Sequence, residues 1–312
     1  MNTLLSTLAN GLGQGAVYAL IAVSFVIIYR ATGVLNFAQP ALMILGTFAT
    51  SVFATELGLP FWVAVLLAMV VLAALSVGIE RVAIRPMVGR PPFAAAIVTV
   101  GLFIALLVVA FRLFDSNPRT VGDPWQLKTL CLGGEVSESF GIVSCSGGIQ
   151  IYESAVARVV IALTVIGILG WWLARSKVGL AMRATSLDQE TSLAQGIDVG
   201  RMFSMSWAIG GALVALAGAL LAANGSVVQA TDAFFALVAL PAIIVGGIDS
   251  LKGAVVGGLV VGLAMALTKT YQPTLAPWLG NNFENVVPYV IMLVVLLIRP
   301  YGLFGTREVQ RV

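Results

Sequence analysis

Apolar runs succeed one another along this chain at 8–29, 41–55, 61–79, 93–114, 155–173, 202–223 and 286–298, with a longer one at 234–267 that glycines interrupt. Hydrocarbon holds no water to bond backbone N–H and C=O groups, so a run of about 20 apolar residues is stable there only as a helix. With several such runs and only 10% of residues charged, the chain does not read as a water-soluble domain. The pattern predicts an all-α polytopic membrane protein of eight or nine transmembrane helices, organised as one transmembrane domain over 1–312.

Lys and Arg accumulate in cytoplasmic loops, and this fixes the expected orientation. One side of the membrane collects Arg30, then Arg81, Arg85 and Arg90, then Arg175, Lys177, Arg183 and Arg201, then Lys252, and finally Arg299, Arg307 and Arg311. These are twelve of the 17 basic residues. The N-terminus is therefore expected outside and the C-terminus in the cytoplasm. No basic residue precedes Arg30, so the first span lacks the positive region of a cleavable signal and is expected to remain in the mature protein. A net charge of +3 fits loop arginines facing an anionic leaflet and gives no footprint for nucleic acid.

Several chemistries are not expected. There is no histidine and there are two cysteines, too few for a metal cluster, so no metal site is expected. No GxxxxGK[ST] string is present, so ATP is not bound through a P-loop, and no catalytic residue is assigned. An ion-coupled carrier ordinarily needs an ionisable group within its spans. The acids here fall in loops or at span ends, as Glu56, Glu80, Asp232 and Glu284 do. Energy is therefore expected from a separate subunit.

Two breaks in the apolar pattern are candidates for the solute pathway. Between the first two spans, Gly33 and Pro40 interrupt helical bonding around Asn36, Phe37 and Gln39, neutral groups suited to a polar solute. The same stretch reads equally as a short cytoplasmic turn. Thr99 adds a hydroxyl within the fourth span. In the 234–267 run, Gly246 and Gly247 open a glycine-rich interruption that is either a binding or gating element or a tight turn helped by an Asp249/Lys252 pair. Residues 234–245 alone are too short to cross, so they form a half-span or are completed by residues before them.

Residues 115–153 have five acids against two basic residues and are expected as an external loop, with runs at 141–145 and 148–152 suggesting a small hairpin. Both cysteines, Cys131 and Cys145, fall there, either as an external disulfide or as two free thiols. On the opposite side, 175–201 is a polar island with four basic residues and three acids. Apolar positions recur at helical spacing over 178–197, and Gly196 marks a stop. The expectation is a short amphipathic helix resting on lipid or on a partner protein, against the plainer reading of a solvated loop.

Five strings carry a family resemblance: G-V-L-N-F-A-Q at 33–39, E-R-V-A-I-R-P at 80–86, the order Gly179, Arg183-Ala184, Asp188, Ala194, Gly196-Ile197, Arg201, then G-G-I-D-S followed by G-A-V-V-G-G at 253–258, and R-P-Y-G-L-F-G at 299–305. In this order they resemble the branched-chain amino acid ABC permease family. The resemblance implies a multi-pass permease of the bacterial plasma membrane, working with a second similar permease, two ATP-binding subunits and an extracytoplasmic substrate-binding protein. ATP and Mg would belong to those ATPase partners, with no cofactor in this chain. It implies import of branched-chain amino acids, with urea or another small amide or carboxylate solute as the alternative, and it assigns Arg183, Ala184, Asp188, Ala194, Gly196 and Ile197 to docking on the ATPase. An ATP-independent channel or carrier is the competing class, and a passive channel has no use for a docking segment.

Overall fold

The computed structural model describes residues 2–87, 92–114, 118–126, 128–139, 142–223, 227–229 and 232–306. Arg90, positions 115–117, 127 and 140–141 of the expected external loop, and the basic tail 307–312 lie outside the described residues.

Helix α1 (Asn2–Thr32) is the axis of the fold and packs against α11 (Leu251–Leu275), α8 (Val199–Ala222) and α5 (Glu153–Arg175). Its early glycines are the reason it can. A Cβ on Gly13 would stand 2.7 Å from the Ala155 Cα of α5, and one on Gly15 would stand 3.0 Å from the Leu259 Cα of α11. Small residues at these positions let backbones meet where side chains would hold them apart.

Helix α2 (Gln39–Ser51), nearly all of it buried, continues as a π-helical turn over Val52–Glu56 that emerges toward the surface. It is an inner helix enclosed by α8, α3 (Phe61–Ile79) and α4 (Pro92–Phe114). The outer helices present Leu66, Val70, Ile97, Ile104, Val160 and Leu297 to the outside, an apolar surface suited to lipid or to another membrane subunit.

Among the described residues six helices are long and apolar enough to cross a membrane, and the stretch Phe283–Ile298, containing α12 (Val287–Ile298), is shorter. The 234–267 run divides into α9 (Ala233–Ala236), α10 (Ala239–Gly246) and α11. Neither α9 nor α10 is long enough to span by itself; α9 packs against α2, and α10 is buried between α1, α11 and α12.

Strands β1 (Thr129–Leu132), β2 (Glu135–Ser139), β3 (Ile142–Ser146) and β4 (Ile149–Tyr152) correct the expected hairpin. The two apolar runs do not pair with each other: β3 pairs with β2 and β4 with β1, so one hairpin is nested inside another. Cys131 in β1 and Cys145 in β3 form a disulfide, with their Cα atoms 5.6 Å apart. The N-terminal end of α1 holds this unit, because Asn10 Nδ2 donates to Gln150 O at 3.1 Å and Asn10 Oδ1 accepts from Tyr152 N at 3.0 Å. Arg119 joins the same face by pairing with Glu56 at 2.6 Å and bridging to Val228. The molecule thus has a hairpin face. At its other face lie the end of α1, the 175–201 segment and the α10–α11 turn.

Candidate functional site

The polar island folds as two helices, α6 (Lys177–Leu187) and α7 (Gln189–Ala194), where the sequence pattern predicts one. Asp188 divides them. It is extended (φ −157°), its carboxylate accepts from Thr191 N at 3.0 Å and Thr191 Oγ1 at 2.6 Å, and it caps α7 where a continuous α6 would need it helical. Ser176 caps α6 through Gly179 N, and Asp198 caps α8 through Arg201 N, each at 3.0 Å. Gly196 ends α7 with φ +79°: its N–H donates to Leu193 O and Ile197 N–H donates to Ser192 O, the paired bonds of a Schellman turn. Gly179 lets α6 fold back on α5, since a Cβ there would strike the Leu173 backbone.

Thr191's hydroxyl and N–H hold the Asp188 carboxyl below its ordinary value of 3.8. A depressed folded-state value means the cap is fully present above 3.8 and is lost only as pH falls through the still lower folded value. Asp188→Ala is expected to raise amide hydrogen exchange across 189–194 at neutral pH, whereas Asp188→Asn keeps most of the protection. Equal protection in wild type and Asp188→Ala would contradict the capping role.

Arg183 and Ala184 lie on α6, with Arg183 exposed, and Ala194 and Gly196 are exposed at the end of α7. Arg183 also lines a small pocket of about 120 Å³ with Arg30 of α1 and Leu251 of α11, so the segment touches the ends of two core helices. The 80–87 string fastens it further. Glu80 is fully buried in a π-helical turn (Glu80–Ile84) after α3 and accepts from Arg85 Nε at 3.2 Å, Arg85 Nη2 at 3.1 Å and Ser204 Oγ at 2.6 Å. Arg85 Nη2 also donates to Gly200 O at 3.0 Å. The start of α8, directly after the polar island, is clamped to the end of α3.

Asn36, Phe37, Gln39 and Thr99 come together. Asn36 Oδ1 accepts from Ala38 N at 3.0 Å, Thr99 Oγ1 accepts from Phe37 N at 3.1 Å, and Gln39 Nε2 donates to Ser24 Oγ at 3.0 Å. Asn36 Nδ2 and Gln39 Oε1 are buried and have no hydrogen-bond partner among the described residues. Gly246 and Gly247 belong to a different place, the α10–α11 turn. A Cβ on Gly246 would collide with the Gly253 backbone, and Gly247 has φ +108° and abuts Gly305. The C-terminal string closes this turn: Leu303 N–H donates to Val245 O at 2.8 Å and Phe304 N–H to Gly246 O at 2.9 Å. Asp249 bonds Thr306 N at 3.3 Å and Thr306 Oγ1, so among the described residues its partner is Thr306 and not Lys252.

The family profile described as branched-chain amino acid transport system / permease component matches residues 7–296. The chain belongs to this permease family. The high-affinity branched-chain amino acid transport system permease protein BraD of Pseudomonas aeruginosa is 31% identical over 99% of this chain and 98% of its own length. The corresponding protein LivH of Escherichia coli is 30% identical over 99% of this chain and 97% of its own. The probable LivH of Methanocaldococcus jannaschii is 26% identical over 92% and 88%. This chain is accordingly a multi-pass membrane permease.

Sequence reasoning passed over two features of this permease. Arg158 lies within α5 and is buried, donating from Nε to Leu220 O at 2.9 Å at the end of α8. A cation at a helix C-terminus satisfies carbonyls that have no intrahelical partner. The pairing of Glu80 with α8 was hidden because its partner Ser204 is 124 positions away.

Proposed function

We propose that this permease is the membrane-spanning subunit of an ATP-driven importer of branched-chain amino acids, in a bacterial plasma membrane. The match of 7–296 to the permease family is the observation that carries this reading, and the chain's likeness to BraD and LivH over nearly their full lengths supports it. The hairpin face is external and the face with 175–201 is cytoplasmic, in keeping with the twelve basic residues that the sequence pattern assigns to that side. The six long helices, the inner α2 with its π-helical turn, α9 and α10 taken together, and the 283–298 stretch then make nine crossings, which carry the chain from an external N-terminus to a cytoplasmic C-terminus. The partners are a second permease, two ATP-binding subunits that hold ATP and Mg, and an extracytoplasmic binding protein that meets the 115–153 loop.

The segment α6–α7 is the coupling element. Three side-chain caps and the Schellman turn make it a rigid unit, and the Glu80–Arg85–Ser204 clamp ties its exit to α3 and α8. A push from an ATPase on Ala194, Gly196 and Ile197 is thereby passed to helices that enclose α2, moving the Asn36–Gln39 linker at the end of α1. Gly196→Arg tests this. A Cβ there meets nothing within 4 Å, so the side chain projects outward, and the strain of φ +79° is about 1 kcal/mol. The variant is expected to insert and its assembly to hydrolyse ATP while leucine uptake falls about tenfold or more. Gly196→Asn, which tolerates the same backbone, is expected to transport. Normal uptake by Gly196→Arg would remove the assignment.

A further inference from the structure

A cavity of about 470 Å³ opens among α1, α2, α8 and α11 beneath the loops of the hairpin face, within the size of pockets that hold small ligands, about 300–1,000 Å³. Helices α1 and α11 run antiparallel here, since Gly11 faces Ala266 while Gly258 faces Ala19. Lys269 therefore stands toward the hairpin face, at the mouth, and Met265 lies deeper. Asp232 and Glu284 also line the cavity, from the short segments before α9 and α12. Below them Met43 and Ile44 of α2 and Leu221 of α8 form an apolar patch of the wall, beside Thr47 and the hydrogen-bonded Gln14–Tyr18 pair. Among the described residues Lys269 is in no ion pair, and neither are Asp232 and Glu284.

We propose that this cavity is an admission subsite for zwitterionic aliphatic amino acids, taken side chain first. Lys269 receives the carboxylate, Asp232 and Glu284 receive the ammonium, and the Met43, Ile44, Leu221 and Met265 wall receives the branched side chain. The charges select the class. An uncharged apolar solute would offer Lys269, Asp232 and Glu284 no counter-charge, only Asp232 among them already accepting a bond within the described residues, from Gln229 N at 2.8 Å, and a simple carboxylate would meet two acids against one amine. This assignment rests on the importer reading and names where, on this chain, the solute is first recognised.

The test uses the full chain with its partners in native membranes. Cys131 and Cys145 are bonded to each other and this chain has no other cysteine, so Val227→Cys, at an exposed position lining the mouth, supplies its single reactive thiol, read on the chain after it is isolated from its partners. Leucine is expected to slow maleimide labelling of that thiol, about tenfold at ten times its half-effect concentration. Leucinol, which lacks the carboxylate, 4-methylpentanoate, which lacks the ammonium, and lysine are expected to leave the rate unchanged. Adding Lys269→Gln is expected to abolish protection by leucine, and Lys269→Arg to restore it. Labelling that ignores leucine up to saturating concentrations, or that leucinol or lysine slows as well, overturns the subsite. ATP-driven leucine uptake is measured on the same membranes: uptake without protection rejects the subsite alone, whereas absence of uptake rejects the importer reading.

Discussion

Arg85→Ala is expected to destabilise the permease by about 2–3 kcal/mol and to lower its thermal midpoint in mild detergent. Removing one partner of an enclosed ion pair leaves an uncompensated charge, at about 3–5 kcal/mol for a fully buried pair. The figure is smaller here because the Arg85 side chain is 42% exposed and Ser204 keeps its bond to Glu80. Glu80 itself is fully buried, covered by the Arg85 side chain and held by Ser204. Glu80→Gln combined with Arg85→Ala removes the charge as well as its partner, and the double variant is expected to recover part of the loss. A melting curve for Arg85→Ala that overlays the wild type would show that the 80–87 string does not clamp α8. Partial loss of transport should accompany the loss of stability, because the same clamp fixes the start of the helix that follows α7.

Gly262→Leu is expected to do more damage, preventing α1 and α11 from closing. A Cβ at Gly262 would overlap the Gly15 backbone, and Gly258 stands in the same relation to Ala19. Overpacking in a core that can shift costs about 1–3 kcal/mol. Here both sides of the contact are backbone in the central helix pair, neither can change rotamer, and a loss of about 3 kcal/mol or more is expected. The readout is the yield of monodisperse protein in detergent and the midpoint of its thermal transition. Gly78→Leu is the matched control, since a Cβ there meets nothing within 4 Å and its helix, α3, is an outer one. Equal behaviour of the two variants would contradict the account of α1 as the close-packed axis.

How much was legible in the sequence depends on the range over which each feature is written. The long outer helices follow from runs of apolar residues, and the glycines at 11, 13 and 15 announce close approach by their spacing alone. The stop at Gly196 is equally local, because only a residue at ease with φ +79° ends α7 in that way. The division of the polar island at Asp188 was written in the sequence too, as a capping residue three before Thr191, but apolar spacing across 178–197 masked it. The nested hairpins were not legible: alternation predicts strands without naming partners, and here each apolar run pairs with an earlier segment of weaker pattern. Nor does composition distinguish an inner helix such as α2 from an outer one such as α4, since both are apolar all round and only the tertiary packing decides. At the candidate site, Gly246 and Gly247 read equally as a gate and as a tight turn, because glycine marks broken backbone in either case. What the sequence could not show is that residues 302–305 return to fill that turn.

The central claim, that ATP hydrolysed by partner subunits drives leucine through this chain by way of α6–α7, is tested most directly by reconstitution. The assembly purified through this chain from its native membrane is placed in liposomes, and leucine accumulation and ATP hydrolysis are recorded together, with and without the loaded binding protein. Accumulation against a gradient that requires ATP, and that Gly196→Arg abolishes while hydrolysis continues, is the predicted result. Leucine movement by the isolated chain without ATP, unchanged by Gly196→Arg, would contradict the account.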